Sequence, residues 1–230
     1  MVFVKIKNKW KEIDNKWNCC GNKCINTNKP IGNCINGNGF GNIINDENIK
    51  YIKYLLGKGA YNRFVYVFAE NSFTKPKYCL NYSLCYFEIK CKFEGELDGS
   101  KSYMEIGLSN CSTNNFISYS ANFGQIYNGE SFKLSSFTCN NNDIFGCGVV
   151  YPPTNKLDEG EFPYVFFTQN GKQIGKGILL KDNFDSYKPG VWLICCSVEA
   201  NFGNNLESKP FKYDISKHLI LKEFNEDYMD

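Results

Sequence analysis

The chain has 230 residues and a formal net charge of +2, from 26 Lys and Arg against 24 Asp and Glu. Nucleic-acid binding by counterion release needs a concentrated basic patch, and lysines here are scattered among acids, so this partner class is excluded. No run approaches the ~20 apolar residues of a membrane-spanning helix, and we expect no membrane partner.

Composition favours β structure. Aromatic residues make up 16% of the chain, and aromatic side chains suit the half-buried faces of pleated sheets. Asparagine is abundant beside glycine and serine, where it stabilises turns. A chain of this length forms one large all-β domain as readily as two small domains.

Cysteine usage and the N-terminus bear on the compartment. Twelve cysteines would suggest disulfides in a secreted protein. The start at Met1 lacks the apolar segment of a signal peptide. We therefore expect reduced thiols and a cytoplasmic protein, with a nuclear location, or export after removal of a signal peptide, left open.

Residues 1–30 are rich in lysine, asparagine and cysteine and are predicted to form an N-terminal extension. Cys19, Cys20, Cys24 and Cys34 are the one group worth testing for a metal. Zinc sites usually show closely spaced cysteine pairs at both ends, and Cys34 has no close companion in sequence. Unliganded thiols are therefore favoured over a disulfide or zinc, and we expect no metal.

Residues 31–84 are predicted to supply upstream strands. Ile49 to Leu56 and Phe64 to Ala69 flank Gly57-Lys58-Gly59 and resemble a hairpin. Gly37, Gly39 and Gly41 lie in an Asn-Gly repeat that favours turns over a phosphate loop, because no lysine follows at the required offset.

The next predicted strand runs from Cys85 to Phe93. Its odd positions, from Cys85 through Cys91 to Phe93, are apolar, whereas Glu88, Lys90 and Lys92 on the other face are charged. Strand alternation therefore places the two cysteines in the core as small hydrophobes. Tyr103 to Leu108 alternates weakly and forms another strand.

Three elements follow in the second half of the chain. Asp143 to Tyr151 is a strand, with Cys147 on its inner face. Tyr164 to Gln169 and Lys172 to Gly175 flank Asn170-Gly171, the dipeptide that a type I′ hairpin turn prefers. A further strand from Trp192 to Phe202 is predicted to place its even positions on one face.

The tail, 217–230, carries Ile220 and Phe224 at helical spacing, enough for one or two turns. His218, the one histidine, is predicted to be a surface residue there. Without a second histidine, nucleophilic triads have no other base.

Glu96 and Asp98 precede Gly99-Ser100 and indicate an acidic turn, not the paired carboxylates of a glycosidase. We expect no catalytic residues and no cofactor.

Six segments carry a resemblance to the SPRY family. The first four are Tyr86-Phe87-Glu88-Ile89-Lys90, Glu105-Ile106-Gly107-Leu108-Ser109, the run from Asp143 to Val149 and the run from Val165 to Lys172. The last two are the runs from Ser197 to Gly203 and from Pro210 to Ile215. Their order and spacing over 85–216 resemble a SPRY core, most of all that of RanBPM-like proteins and of the SPRY effectors of plant-parasitic nematodes.

This resemblance implies an all-β fold, a bent antiparallel sandwich of two sheets with lectin-like jelly-roll topology and short helical pieces at the termini. It also implies a binding surface built by loops at one end of the sandwich. Carried onto this sequence, that surface comprises Asn71, Phe73, Pro76, Tyr119, Val191 and Trp192. Tyr119 is expected to be exposed, whereas a core position for Trp192 is an equal alternative. The segment Ser118 to Lys133 departs from the family pattern.

The resemblance implies a non-enzymatic protein–protein interaction module, an adaptor or effector that binds another protein or a peptide. We expect a monomer. A carbohydrate-binding lectin-like domain is the alternative, because the sandwich topology is shared with lectins and asparagine is plentiful.

Overall fold

The computed structural model describes residues 1–22, 24–25, 33–55, 60–94, 102–158, 161–181 and 186–225. In these residues two β-sheets pack face to face, so the predicted all-β sandwich is confirmed. The predicted turns at Gly57 to Gly59 and Glu96 to Ser100 lie outside the described residues.

The strands are β1 Val2–Phe3, β2 Trp10–Ile13, β3 Phe40–Ile43, β4 Asn48–Ile52, β5 Val65–Ala69, β6 Phe73–Thr74, β7 Ser83–Phe93, β8 Tyr103–Asn110, β9 Phe116–Ser120, β10 Gln125–Asn128, β11 Glu130–Lys133, β12 Ile144–Tyr151, β13 Tyr164–Gln169, β14 Lys172–Leu179, β15 Ser186–Ile194, β16 Cys196–Asn201 and β17 Phe224–Asn225. One short helix, α1 Thr154–Asp158, follows β12, and single 3₁₀ turns lie at Asn15–Trp17 and Ile215–Lys217.

The first sheet has the order β17-β14-β13-β12-β7-β16-β4-β3, with β1 pairing beside β7. The second sheet has the order β11-β10-β9-β8-β15-β5-β2, with β6 pairing to the start of β15. Neighbours are antiparallel except for two parallel pairs among the described strands, β1 with β7 and β14 with β17.

The core lies between the sheets and follows the alternation of the central strands. On β7, Cys85 and Cys91 are buried, as predicted. On β12, Cys147 is buried beside Phe145 and Val149, also as predicted. All twelve cysteines are free thiols in the structure.

Glu88 departs from the predicted charged face of β7, because it is buried. The segment after β16 crosses the outer face of the first sheet at this point. The backbone N–H groups of Lys212 and Tyr213 donate to the Glu88 carboxylate at 2.8 and 2.9 Å. Alternation alone could not reveal this covering segment.

The β13–β14 hairpin is confirmed at its predicted turn. Asn170 has φ +51° and Gly171 has φ +82°. Gln169 pairs with Lys172, so the loop has two residues. Both central residues therefore take the left-handed conformation that a type I′ turn requires.

The predicted hairpin between Ile49 and Ala69 is wrong. β4 lies in the first sheet between β3 and β16, whereas β5 lies in the second sheet between β2 and β15. Both strands have the expected alternation, but β4 pairs with the preceding β3 and the distant β16, whereas β5 pairs with β2 and β15, both far along the chain. Proximity in sequence was the wrong guide to pairing here.

The predicted continuous strand from Trp192 to Phe202 is interrupted at Cys195, which has φ +51°. β15 ends before this residue in the second sheet, and β16 begins after it in the first sheet. The left-handed residue changes which positions face inward. Cys196 and Val198 face the core, whereas Trp192 points away from it.

Both ends of the described chain join the sandwich. β1 and β2, from the predicted extension, add to the first and second sheets respectively. The tail is extended instead of helical apart from its 3₁₀ turn, and β17 pairs with β14. No helix among the described residues is long and apolar enough to cross a membrane.

His218 is buried, so its predicted surface position is wrong. Its ring packs on Phe166 with centroids 4.2 Å apart. The Tyr164 and Tyr213 hydroxyls lie 3.0 Å from Nε2 and 2.7 Å from Nδ1. The tail thus covers the outer face of the first sheet, where it forms a second apolar cluster with β13.

Candidate functional site

The sequence-predicted site residues lie at two ends of β15. Phe73 pairs with Tyr187 near the start of that strand, whereas Trp192 lies five residues further along. At about 3.4 Å per residue, the two positions are about 17 Å apart. Asn71 is exposed and Pro76 is half-buried, beside β6. These residues therefore do not form one surface with Trp192.

Three predicted contact residues face the core. Tyr119 is 0% exposed and packs against Phe145 and Phe167, so the expectation that it is exposed is wrong. Val191 is also 0% exposed, and Phe73 is 2% exposed. Tyr119 and Val191 both pair with Ile106, so strand alternation turns both inward.

Trp192 instead belongs to an aromatic cluster on the outer face of the second sheet. Its ring centroid lies 5.4 Å from that of Trp17 and 5.5 Å from that of Phe64. Tyr103 lies 5.4 Å from Phe64 and 5.7 Å from Phe123. These five rings line a hollow of about 750 Å³, which we call the aromatic hollow. The other lining residues are Tyr54, Ala60, Tyr61, Asn62, Ile194 and Cys195.

Strand register builds the floor of the aromatic hollow. Trp192 pairs with Tyr66 on β5 and with Glu105 on β8, so all three side chains point outward together. Tyr103 lies two positions before Glu105 and shares its face. Trp17 joins from the 3₁₀ turn after β2, the neighbour of β5.

The aromatic hollow opens to solvent at its rim. Tyr61 is 54% exposed and Phe123 is 47% exposed, high values for large aromatic side chains. Inside, the Nε1–H of Trp192 is buried and has no hydrogen-bond partner. A buried donor without an acceptor costs about 1–3 kcal/mol. The hollow presents apolar rings to solvent.

A buried carboxyl lies beside this cluster. Glu105 is 4% exposed and accepts hydrogen bonds from the hydroxyls of Tyr103 and Ser118. Burial raises its pKa, while these two bonds lower it less. The Tyr66 hydroxyl is also buried and without a partner. Buried titratable groups of this kind are typical of functional surfaces as well as of structural networks.

No histidine or carboxylate side chain is among the described residues that line the aromatic hollow. The one histidine, His218, lies on the outer face of the other sheet and contacts two tyrosine hydroxyls. Among the described residues, one group of side chains could hold a metal: the Sγ atoms of Cys19, Cys20, Cys24 and Cys34 lie within 4.8 Å of one another.

No family model matches the chain. The search of curated proteins finds no match either. Among solved structures, the chain is similar to a human SPRY domain, with 20% identity, a TM-score of 0.49, and coverage of 71% of this chain and 96% of that chain.

The SPRY domain of human HERC1 is also similar, with 18% identity, a TM-score of 0.43, and coverage of 70% and 91%. The seed lectin of Lotus tetragonolobus has 9% identity, a TM-score of 0.38, and coverage of 71% and 91%.

Sequence reasoning missed most of the aromatic hollow. Of its five central rings only Trp192 was singled out for binding. Trp17 lay in the predicted extension, and Phe123 lay in the segment that departs from the family pattern. One signal was available: Phe64 immediately precedes β5 and lies on the parity opposite to that strand's buried residues.

Proposed function

We propose that the chain is a protein-interaction module of the adaptor or effector kind, which binds a protein segment in the aromatic hollow and performs no catalysis. The observation that carries this proposal is the solvent-open cluster of aromatic rings around Trp192. Tryptophan and tyrosine are the usual anchors of interfaces, because they bury a large area at a small entropic cost.

The chemistry of the aromatic hollow supports a short peptide with an apolar side chain. A volume of about 750 Å³ falls within the range of ligand pockets. An apolar side chain of such a peptide would pack among the rings. Asn71 and Pro76 would belong to a separate surface near β6, and we propose no contact for the buried Tyr119.

A lectin function has weaker support from the same surfaces. Sugar sites usually combine an aromatic platform with free amides or acids. In the aromatic hollow the amide is Asn62, whose Oδ1 already accepts the Tyr54 N–H at 3.1 Å. A second hollow of about 610 Å³ is lined by Asn45 and Asn142 among charged residues, and no aromatic ring lines it. Neither surface combines both features.

The test compares two phenylalanines of similar exposure. Phe123 is 47% exposed in the hollow, whereas Phe162 is 37% exposed and outside it. A partner captured by the full chain, identified by mass spectrometry, would be titrated calorimetrically against each variant. We expect Trp192→Ala and Phe123→Ala each to raise Kd about 30-fold, since interface anchors contribute about 2 kcal/mol. Phe162→Ala should leave Kd unchanged.

Equal affinity for all three variants would show that the partner binds elsewhere and would overturn the proposal. A glycan array on the same preparations separates the alternative function. Sugar binding that Trp192→Ala abolishes, with no protein captured, would reverse the ranking in favour of a lectin.

A further inference from the structure

Four cysteine side chains converge near the N-terminus. The Sγ of Cys20 lies 3.2 Å from that of Cys24, and the Sγ of Cys19 lies 3.6 Å from Cys24 and 3.9 Å from Cys20. The Sγ of Cys34 completes the group, with all four atoms within 4.8 Å of one another. Four thiolates arranged tetrahedrally at about 2.3 Å from one zinc ion are about 3.8 Å apart. The observed spacings bracket this value.

The backbone holds the four thiols in place. The Asn38 side-chain amide donates to the Cys19 carbonyl at 2.7 Å. The N–H of Gly37, a residue with φ +74°, donates to the Cys34 carbonyl at 2.7 Å and closes a tight turn. Within this turn the Ile35 N–H points at the Cys24 Sγ, 3.4 Å away. Amide donors directed at a ligating sulfur are typical of metal–thiolate sites.

Burial distinguishes this group from surface cysteines. Cys19, Cys20 and Cys34 are at most 6% exposed, and Cys24 is partly buried. The site is thus nearly closed to water, as structural zinc sites are, with no position left for substrate.

We propose that Cys19, Cys20, Cys24 and Cys34 bind one structural Zn²⁺ as four thiolate ligands. Soft thiolate ligands in tetrahedral geometry select zinc over the hard cations. Two disulfides would need two separate pairs of sulfurs, each about 2.05 Å apart, whereas Cys24 lies close to both Cys19 and Cys20. An iron–sulfur cluster places several atoms between its thiolates and would spread the four sulfurs further apart.

The sequence-based expectation of no metal depended on the missing companion of Cys34. The fold supplies that companion in Cys19, since the Cys34 Sγ lies 3.8 Å from the Cys19 carbonyl oxygen although the residues are 15 positions apart. Spacing along the chain did not reveal this, because two of the ligands are adjacent residues and the fourth lies ten positions after the third.

The zinc ion would brace two walls of the aromatic hollow. Trp17 precedes Cys19 by two residues. On the other wall, the Asn38 side chain that contacts the Cys19 carbonyl also accepts the Tyr61 N–H through Oδ1, at 3.4 Å. Zinc binding itself does not depend on any partner for that hollow.

The test begins with metal analysis of the purified full chain by plasma mass spectrometry. We expect one zinc per chain, and loss of that zinc in Cys24→Ser and in Cys34→Ser. Cys111→Ser is the matched control, because Cys111 is exposed and outside the group, and it should retain full zinc content. Circular dichroism checks that each variant keeps its sheets.

Cobalt substitution of the unaltered chain gives a readout that does not depend on any variant folding. Four thiolates around Co²⁺ should produce intense visible bands and thiolate-to-metal charge transfer, and stoichiometric zinc should abolish them. A preparation that holds iron instead, that shows disulfides among these four cysteines by mass under non-reducing conditions, or that takes up cobalt without these bands would overturn the proposal. Peptide capture is measured separately, so each proposal can fail alone.

Discussion

Glu88 shows how one carboxylate joins distant parts of this chain. Its oxygens accept the backbone N–H groups of Lys212 and Tyr213 and, at 2.9 Å, the hydroxyl of Tyr86. Burial raises its pKa, and these hydrogen bonds offset that rise only in part. The Glu88 side chain therefore anchors the backbone of the segment after Pro210 to the middle of β7.

Replacing Glu88 by glutamine should lower the free energy of unfolding by about 2–4 kcal/mol. An amide offers one oxygen where the carboxylate offers two, so at least one buried N–H faces another donor. Urea denaturation of both proteins measures the difference. Glu130→Gln, on an exposed strand, is the matched control and should change stability by less than about 0.5 kcal/mol. An equally small effect at Glu88 would contradict its role as an anchor.

Single residues mark the limit of what alternation can predict. The inward positions of Cys85 and Cys147 followed from the period of two and are confirmed. Trp192 was grouped with Cys196 on one face, and this was wrong, because Cys195 takes a left-handed conformation between them. Cysteine rarely adopts positive φ, so nothing in the sequence marked this point.

At the scale of elements, the turn after β13 makes a contact that its local sequence does not show. A Cβ added at Gly171 would lie 2.6 Å from the Lys212 carbonyl oxygen. Gly129, in the turn between β10 and β11, has a similar φ of +75° but nothing within 4 Å of such an atom. The two glycines therefore share one backbone constraint and differ in packing.

Gly171→Ala should destabilise the protein more than Gly129→Ala. Both substitutions place a Cβ at positive φ, which costs about 1 kcal/mol. At Gly171 the contact with the Lys212 carbonyl must also be relieved, and we expect a total loss of about 2–4 kcal/mol. Thermal unfolding of both variants measures the difference. Equal losses would show that the Lys212 segment moves aside freely.

Elements with strong local signals could be predicted, whereas their partners could not. The Asn170-Gly171 hairpin followed from turn chemistry alone. The strands around Ile49 and Phe64 were also expected, but pairing them across the intervening glycines was wrong, since they belong to different sheets. Pairings such as β5 with β15 and β7 with β16 join strands far apart in sequence, and no local pattern encodes them.

At the scale of the whole molecule, the tail covers the outer face of the first sheet. The tail residue His218 is buried in this contact in its uncharged form. Burial lowers the pKa of His218 to about 4 from its ordinary 6.5. Its two nearest polar groups are the hydroxyls of Tyr164 and Tyr213, and burial raises the pKa of each tyrosine, so both stay neutral in acid. Protonating this ring would place an unpaired charge among aromatic side chains.

Stability should therefore fall as pH is lowered through this window. Between pH 6.5 and about 4 the unfolded chain binds a proton at His218 that the folded chain does not, so the free energy of unfolding rises with pH over this range. The stabilising contribution of the neutral His218 is complete above pH 6.5. Urea titrations across this range, compared with His218→Gln, isolate the effect, because the acids titrate alike in both proteins. Parallel pH profiles would contradict it.

The sequence predicted the fold class of the whole molecule but not how its strands are ordered in the two sheets. Six segments in order predicted the sandwich, yet the cysteine group and the aromatic hollow each assemble residues from separate parts of the chain. Trp17 reaches Trp192 only because β2 and β15 flank β5. Such meetings depend on sheet order, which composition and periodicity leave undetermined.

The three tryptophans are divided between two environments. Trp10 is buried against Phe202, with its indole N–H bonded to the Glu47 carbonyl, whereas Trp17 and Trp192 lie side by side in the aromatic hollow. The protein thereby contains intrinsic fluorescence probes. Emission from Trp10 should stay constant, whereas emission from Trp17 and Trp192 should shift in wavelength or be quenched when a ligand occupies the hollow. Screening for ligands of this surface requires no dye and no label.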